Sequence, residues 1–515
     1  MILVLCALAL LGGGEPRPFP ADVDARFTST RASQHIEVLA ADSMKGRDTP
    51  SRELEISAEY IAQRFRQFGL EPIGGSYFHR YNLERVDLQL PCTLTLQRGD
   101  RTLRAEIKAD FMPFEETGEG TITNAPVVFA GFGITAPEYA YDDYASIDAK
   151  GAVVLILRGE PDNADTTKFR GRQFTWYGSL RSKIENARKH GAVGIMVIDA
   201  LRTPRKPFVT GFPWASVSKN AKRDTRPLQL PDTTRSLPCV HVGEQIATFL
   251  LDSLDAVRSL TLQLDSTITP ASRMIDGVRM SCSVTLAREK VPVRNVHARL
   301  RGTSVPHEYA VMGAHYDHIG VGKLNDSPDT VYNGADDNAS GTTGLLMAAE
   351  ALATSSQHPE RSVVFVAFSG EEKGLYGSRA YVDSSPLPLD SCVAMVNMDM
   401  IGRCENNKLS IGGNERCPDM IAINEQENAA LGRPMTLAYD IERYFFRSDQ
   451  ASFARRRIPV IFFFTGEHAD YHKHSDHIEK INLDDLSNIA RLATRVTWRV
   501  TQLPRTRYVP GGFER

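Results

Sequence analysis

Leu54, Ala58, Ile61, Phe65 and Phe68 recur at helical spacing and Gly69 follows, so the pattern predicts an amphipathic helix that stops there. Residues 83 to 115 alternate apolar and polar positions instead, the period of short half-buried strands. From about residue 119 the chain turns to short continuous apolar runs. VVFAGFGI and, beyond an acidic turn at Asp142 and Asp143, GAVVLIL read as buried strands, and Ile184, Ala187 and Arg188 lead into another, HGAVGIMVID. A long loop rich in Arg, Lys and Pro then reaches PCVHVG and an amphipathic segment near 244 to 255. Residues 119 to 267 are expected to form an inserted α/β or β-rich module whose acids are solvated, with no cluster of catalytic type.

Farther along, strands and helices alternate: YAVMG, a helix from Thr342 to Leu352, SVVFVAF, CVAMVNM and IPVIFFF. Apolar runs separated by helical segments predict an α/β fold with a mostly parallel central sheet flanked by helices. The expected organisation is a discontinuous main domain, 21 to 118 and 268 to 505, interrupted by the module and followed by a tail from 506 to 515. A length of 515 residues agrees with more than one core.

Composition narrows the partners. Hydrophobic residues make up 42%, charged residues 24%, and the net charge is −3, so there is no electrostatic footprint for nucleic acid. The apolar run Ile2 to Leu11, followed by small residues and a Pro-rich stretch, resembles the core of a signal peptide over residues 1 to 20, although no Lys or Arg precedes it. Export is the expectation, and the run is too short for stable membrane insertion. Six cysteines lie beyond it, without CxxC spacing, and Cys404 and Cys417 are the pair first expected to form a disulfide.

The chemistry lies in the C-terminal half. His315 in GAHYDHIG, Asp336 in NGADDNASG, Glu372 in FSGEEKGLYGS, Asp399 in VNMDMIGR and His472 in DYHKHSDHIEKIN are candidate metal ligands. His315 follows one predicted strand, Glu372 another, Asp399 ends a third and His472 lies shortly after a fourth. Parallel strands would bring all four to one sheet edge, where α/β proteins build their sites. Asp336 joins them from a Gly-flanked loop. Three carboxylates and one hydroxide balance two divalent cations, and oxygen and nitrogen ligands without thiolate suit zinc, with manganese or cobalt also fitting. Glu371, beside Glu372, is the expected proton shuttle, and Asp317, two residues after His315, the expected support of its imidazole. His318, His468, His474 and His477 crowd the same loops as alternatives to His472, while Asp337, Asp470 and Asp476 read as supporting or turn residues.

These strings resemble the co-catalytic zinc exopeptidases of metallopeptidase family 28. The resemblance implies one metal held by His315 and Asp399, another by Glu372 and His472, Asp336 shared between them, and Glu371 as general base. LAADSMKGRDTPS near the N-terminus is similar to the family as well, and GFGITAPEYAYDDY, KGAVVLILRGEP and KIENARKHGAVGIMVI resemble a protease-associated domain, which implies a lid or substrate-selecting role for the module. RSDQASF departs from the family in placing Gln450 where a His is common, and His474 stands where a Pro is usual.

The implied activity is an exported aminopeptidase acting on peptides through a water bridging two zinc ions. Arg443 and Arg447 keep a carboxypeptidase or dipeptidase open, since either could hold a terminal carboxylate, and Tyr444 and Tyr471 are candidates for steadying an oxyanion. Glutaminyl cyclisation at a single zinc and a non-catalytic binding protein are the remaining alternatives; both are disfavoured by a complete ligand set.

Overall fold

The computed structural model describes residues 16–169, 171, 174–217, 226–231, 237–322 and 329–510. The signal-like run therefore lies outside the described residues. The chain divides into two compact units, one of residues 1–83 and 291–515 and one of residues 84–290.

The first unit holds the predicted α/β fold. Its sheet runs in the order Thr436–Ala438, Lys408–Gly412, Val460–Phe464, Cys392–Met398, Val305–His315, Arg361–Phe368, and then the end of Arg273–Leu300. The four strands from Val460–Phe464 to Arg361–Phe368 are mutually parallel, and the strands flanking them, Lys408–Gly412 and the end of Arg273–Leu300, pair antiparallel. The apolar runs singled out in the sequence are these four parallel strands. Both faces of the sheet are covered. Phe365 packs on Phe65 of helix Arg52–Gln67, whereas Phe368, of opposite parity on the strand, packs on Phe453 and Tyr381 of helices Gln450–Ala454 and Tyr376–Asp383.

Local chemistry fixes the helix ends. Ser51 caps the Arg52–Gln67 helix by accepting from the Leu54 N–H at 2.9 Å, and Gly69, at φ 80°, ends it as expected. The Gly341–Ala353 helix is buried almost all round, which accounts for its apolar composition and weak amphipathic signal.

In the second unit the strand order is Gly120–Phe129, Val153–Leu157, Gly194–Ile198, Cys239–Val242, Phe111–Pro113. The first four strands are parallel and the last is antiparallel. This unit extends past residues 119 to 267 on both sides. Phe111–Pro113 pairs with Cys239–Val242, and residues 273–284 pair with Gly120–Phe129, so the flanking strands join its sheet. Alternation of apolar residues cannot reveal antiparallel partners more than a hundred positions apart.

The six described cysteines are all free, Cys404 and Cys417 included. Cys417 Sγ instead accepts from the Val460 N–H at 3.3 Å, and Cys404 Sγ donates to the Lys408 carbonyl at 3.2 Å. No helix among the described residues is long and apolar enough to cross a membrane.

Candidate metal centre

The parallel strands deliver His315, Glu372 and Asp399 to one edge. His315 is the last residue of Val305–His315, Asp399 follows Cys392–Met398, and the loop carrying Glu371 and Glu372 follows Arg361–Phe368. His472 reaches the same place from the loop after Val460–Phe464, with its backbone at φ 55°.

Two triads result. In the first, His315 Nε2 lies 3.2 Å from Asp399 Oδ1 and 3.4 Å from Asp337 Oδ1. In the second, His472 Nε2 lies 3.1 Å from Asp337 Oδ2 and 3.1 Å from Glu372 Oε2. Ligands about 2.0 to 2.1 Å from a tetrahedral zinc stand roughly 3.3 Å apart, so the two histidine-to-carboxylate edges of each triad have the lengths of such a shell. One oxygen of Asp337 faces each triad.

The acid that lies between the two triads is Asp337 and not Asp336. Asp336 turns away, accepting from the Gly402 N–H at 2.7 Å and standing 3.2 Å from His468 Nε2. The backbone here is irregular, with Asp337 at φ −104°, ψ 93°, and neighbouring side chains on such a chain point apart. His468 is occupied with Asp336, which removes it as a rival to His472. His474 and His477 make no contact with either triad; His477 Nε2 pairs with Asp329 at 3.1 Å.

His318 sits beside the second triad, but its geometry differs. Its Nδ1 is 2.8 Å from Glu372 Oε1, a hydrogen-bond length, and 3.7 Å from Asp337 Oδ2. It is placed to donate to the Glu372 oxygen that His472 leaves unused. His315, Asp337 and Asp399, and separately His318, Asp337 and Glu372, are close enough to hold a cation. For the second group we favour His472 over His318, because His472 meets both carboxylates at ligand-edge distance.

Asp317 lies where the sequence placed it, yet it acts partly through its backbone. Its carbonyl is 3.2 Å from His315 Nδ1 and its carboxylate 3.7 Å. A proton on Nδ1 directed to that carbonyl leaves Nε2 as a lone pair facing Asp337 and Asp399. The Asp317 carboxylate also accepts from the Glu371 N–H at 3.2 Å.

Several supporting residues escape motif reading. Asp476 accepts from the N–H groups of Asp336, at 2.9 and 3.1 Å, and Asp337, at 3.1 Å, fixing the acidic loop. Asn338 donates to the Met398 carbonyl at 3.0 Å and accepts from Gly341 at 2.9 Å and Met400 at 3.1 Å, tying that loop to the strand end that carries Asp399. Gln450, at the departure from the family pattern, accepts from Asn397 Nδ2 at 2.7 Å and donates to the Phe445 carbonyl at 2.9 Å. It braces the same strand.

Electrostatics separates the two glutamates. Burial pushes the Glu371 carboxyl well above its ordinary range, His315 opposes this, and Glu372, Asp399 and Asp449 add to it. Glu372 goes the other way: burial would raise it, but His318 and His472 hold it well below. Asp337 is raised to about 6 by burial and by Glu372. His472 is raised to about 10, since Asp337 and Glu372 outweigh its burial. A metal-free site thus gathers acids that resist ionising together, the condition a pair of divalent cations relieves.

A narrow cleft of about 50 Å³, smaller than the usual small-ligand site, opens onto the centre. His315, Asp337, Glu371 and Asp399 line its floor, Met400, Phe462 and Phe464 its apolar wall, and Tyr444 and Tyr471 border it. Tyr471 stacks on His472 with ring centroids 4.0 Å apart. Arg447 reaches the cleft alongside Glu467, 3.5 Å away, whereas Arg443 donates to the Tyr444 hydroxyl at 3.0 Å and does not line it.

The parallel strands of this α/β unit thus end on two triads of carboxylates and histidines. Residues 295–497 match the family model for peptidase family M28. That match spans about two fifths of the chain. It is 24% identical over 258 residues to a probable zinc metalloprotease of Pyrenophora tritici-repentis, covering 42% of this chain and 53% of the relative. It is 26% identical over 311 residues to an aminopeptidase of Bacillus subtilis, covering 60% of this chain and 50% of that protein. The chain thus spans about half the length of these curated relatives. Among solved structures, an aminopeptidase from Aneurinibacillus aligns with TM-score 0.49 and 18% identity over 96% of this chain and 98% of that one.

Proposed function

We propose that the protein is an exported, two-zinc aminopeptidase that removes the N-terminal residue of peptides. The observation that carries this reading is the pair of triads sharing Asp337, each with histidine-to-carboxylate edges near those of a zinc shell. His315 and Asp399 would hold one ion, Glu372 and His472 the other, and Asp337 both. The donor set, two imidazoles and three carboxylates without thiolate, fits zinc, and manganese or cobalt by the same chemistry. When bound, the ions acidify an attacking water and polarise the scissile carbonyl.

The residues divide the remaining work. Glu371 borders the cleft with a carboxyl of raised proton affinity, so it takes the water proton and returns it to the leaving amine. The Tyr471 hydroxyl is a neutral donor, since burial and the acids Asp337, Glu372, Asp399 and Glu371 push its ionisation far up. Met400, Phe462 and Phe464 give the cleft an apolar wall suited to an apolar N-terminal side chain, and the acids at its floor attract the free amine. Export rests on the Ile2 to Leu11 run, and the protease-associated reading of the second unit on its sequence strings.

Arg447 in the cleft gives the carboxypeptidase or dipeptidase reading one specific support, set against its neighbour Glu467. A panel of free-amine, N-blocked and C-terminally amidated peptides, with metal content by mass, separates them. An aminopeptidase loses activity on N-blocking and keeps it on amidation. Cleavage that survives blocking but not amidation would overturn the aminopeptidase reading.

A further inference from the structure

The segment Gly46–Thr49 lies over 260 residues before His315 in sequence, yet it touches the loop after His315, the loop before Asp337 and the loop of Glu371. The Arg47 guanidinium, fully buried, donates to the carbonyls of Tyr316 at 2.9 Å, Asn333 at 2.8 Å and Gly334 at 3.1 Å, and also to that of Leu39. It thereby sets the residue after His315 against the loop leading into Asp337. The Arg47 carbonyl accepts from the His318 N–H at 3.3 Å, and Asp48 pairs with Lys373 at 2.7 Å.

Thr49 makes the contacts closest to the chemistry. Its hydroxyl donates to Asp317 Oδ2 at 3.0 Å and accepts from the Gly370 N–H at 3.1 Å. The other Asp317 oxygen accepts from the Glu371 N–H. One buried hydroxyl therefore joins the residue that orients His315 to the backbone that carries the base, and both of its hydrogen-bonding roles are used.

The local backbone has the marks of a fixed fit. At Gly46, φ 64°, an added Cβ would stand 2.3 Å from the Tyr332 carbonyl and 2.5 Å from that of Gly320. Arg47 itself holds φ 47°, a left-handed conformation that is costly for a non-glycine residue and persists where surroundings over-determine it. Four carbonyls on one guanidinium supply that constraint.

We propose that Gly46–Thr49 is the positioning strut of the metal centre, with Thr49 the residue that sets Glu371 in register with Asp317 and His315. The proposal rests on the two-zinc reading above and adds a residue that touches neither metal nor substrate. Thr49 acts through Asp317 and the Gly370–Glu371 backbone. Losing partners of that kind usually costs 10- to 100-fold.

The test compares wild type with Thr49→Val, which keeps shape and removes the hydroxyl, and Thr49→Ser, which restores it. Zinc content by mass, zinc release to a chelator, kcat and KM on a free-amine peptide, and thermal melting are read together. T49V is expected to fold, keep the wild-type zinc count, release zinc about tenfold faster and lose about 10- to 100-fold in kcat with KM little changed; T49S should return to within a few-fold of wild type. If T49V does not fold, T49A is read by the same criteria. Wild-type kcat and zinc release in the hydroxyl-free variant, or T49S as impaired as T49V, would overturn the strut. A wild type that binds no zinc and cleaves no peptide would instead overturn the two-zinc reading, and the strut with it.

Discussion

Replacing Asp337 by Asn should act in opposite directions on the metal-free and the zinc-loaded protein. Without metal, Asp337 is buried against Glu372 with its carboxyl raised from 3.8 to about 6. A carboxyl so displaced costs about 3 kcal/mol when ionised at neutral pH. The sign follows from proton binding. Between 3.8 and about 6 the folded state holds the proton more tightly than the unfolded chain, so stability falls as pH rises through that window and the loss is complete above it. D337N lacks this loss, so in chelator at pH 7 it should melt higher than wild type, by roughly 5 °C. With zinc the order reverses. Asn offers one oxygen where Asp337 offers one to each triad, and the site loses one of three negative charges. Zinc affinity should drop by at least about 100-fold, about 2.7 kcal/mol. Asp336→Asn is the control, since its oxygen can still accept from Gly402 and only the His468 contact changes. Melting of both variants across pH 4 to 7, with zinc titrated by calorimetry, reads every term. Two zinc ions retained by D337N and lost by D336N would refute the assignment of the shared acid.

Other outcomes follow from the same geometry. Glu371→Gln should keep both metals by mass and lose about 10²- to 10⁴-fold in kcat, and unchanged turnover would remove Glu371 from the mechanism. Burial, with His79 adding to it, holds His297 at about 4 against 6.5 in the unfolded chain, so its neutral form favours folding above pH 6.5 and that contribution is lost as pH falls toward 4. His297→Gln should therefore lose roughly 2 kcal/mol less than wild type between pH 7 and 4.5 in denaturant titrations, and equal losses would contradict this. Phe462→Ala opens the apolar wall, so KM for peptides with a large apolar N-terminal residue should rise several-fold while alanyl peptides change little; equal effects on both would remove Phe462 from side-chain selection.

The parts of this centre that were legible from sequence are those attached to regular structure. His315 and Asp399 stand where apolar runs end, and a parallel sheet puts such ends together without further information. Glu371 and Glu372 are told apart by their surroundings: Glu372 meets two histidines, while Glu371 sits among acids. The acidic pair Asp336 and Asp337 was not separable, because neither the helical nor the strand period applies to the loop they occupy and only the fold decides which carboxylate turns inward. The strut at Gly46–Thr49 was equally hidden. Its function lies in hydrogen bonds to carbonyls and backbone N–H groups hundreds of residues away, which leave no periodic trace. The wide bounds of the second unit have a related cause, since Phe111–Pro113 earns its place only by pairing with Cys239–Val242.

Two metals should flank Asp337. Diffraction from zinc-loaded crystals on both sides of the zinc absorption edge tests it most directly. Two anomalous peaks are expected, one against His315 and Asp399 and one against Glu372 and His472, each within about 2.2 Å of a different Asp337 oxygen. A single peak, or a peak between Asp336 and His468, would contradict it.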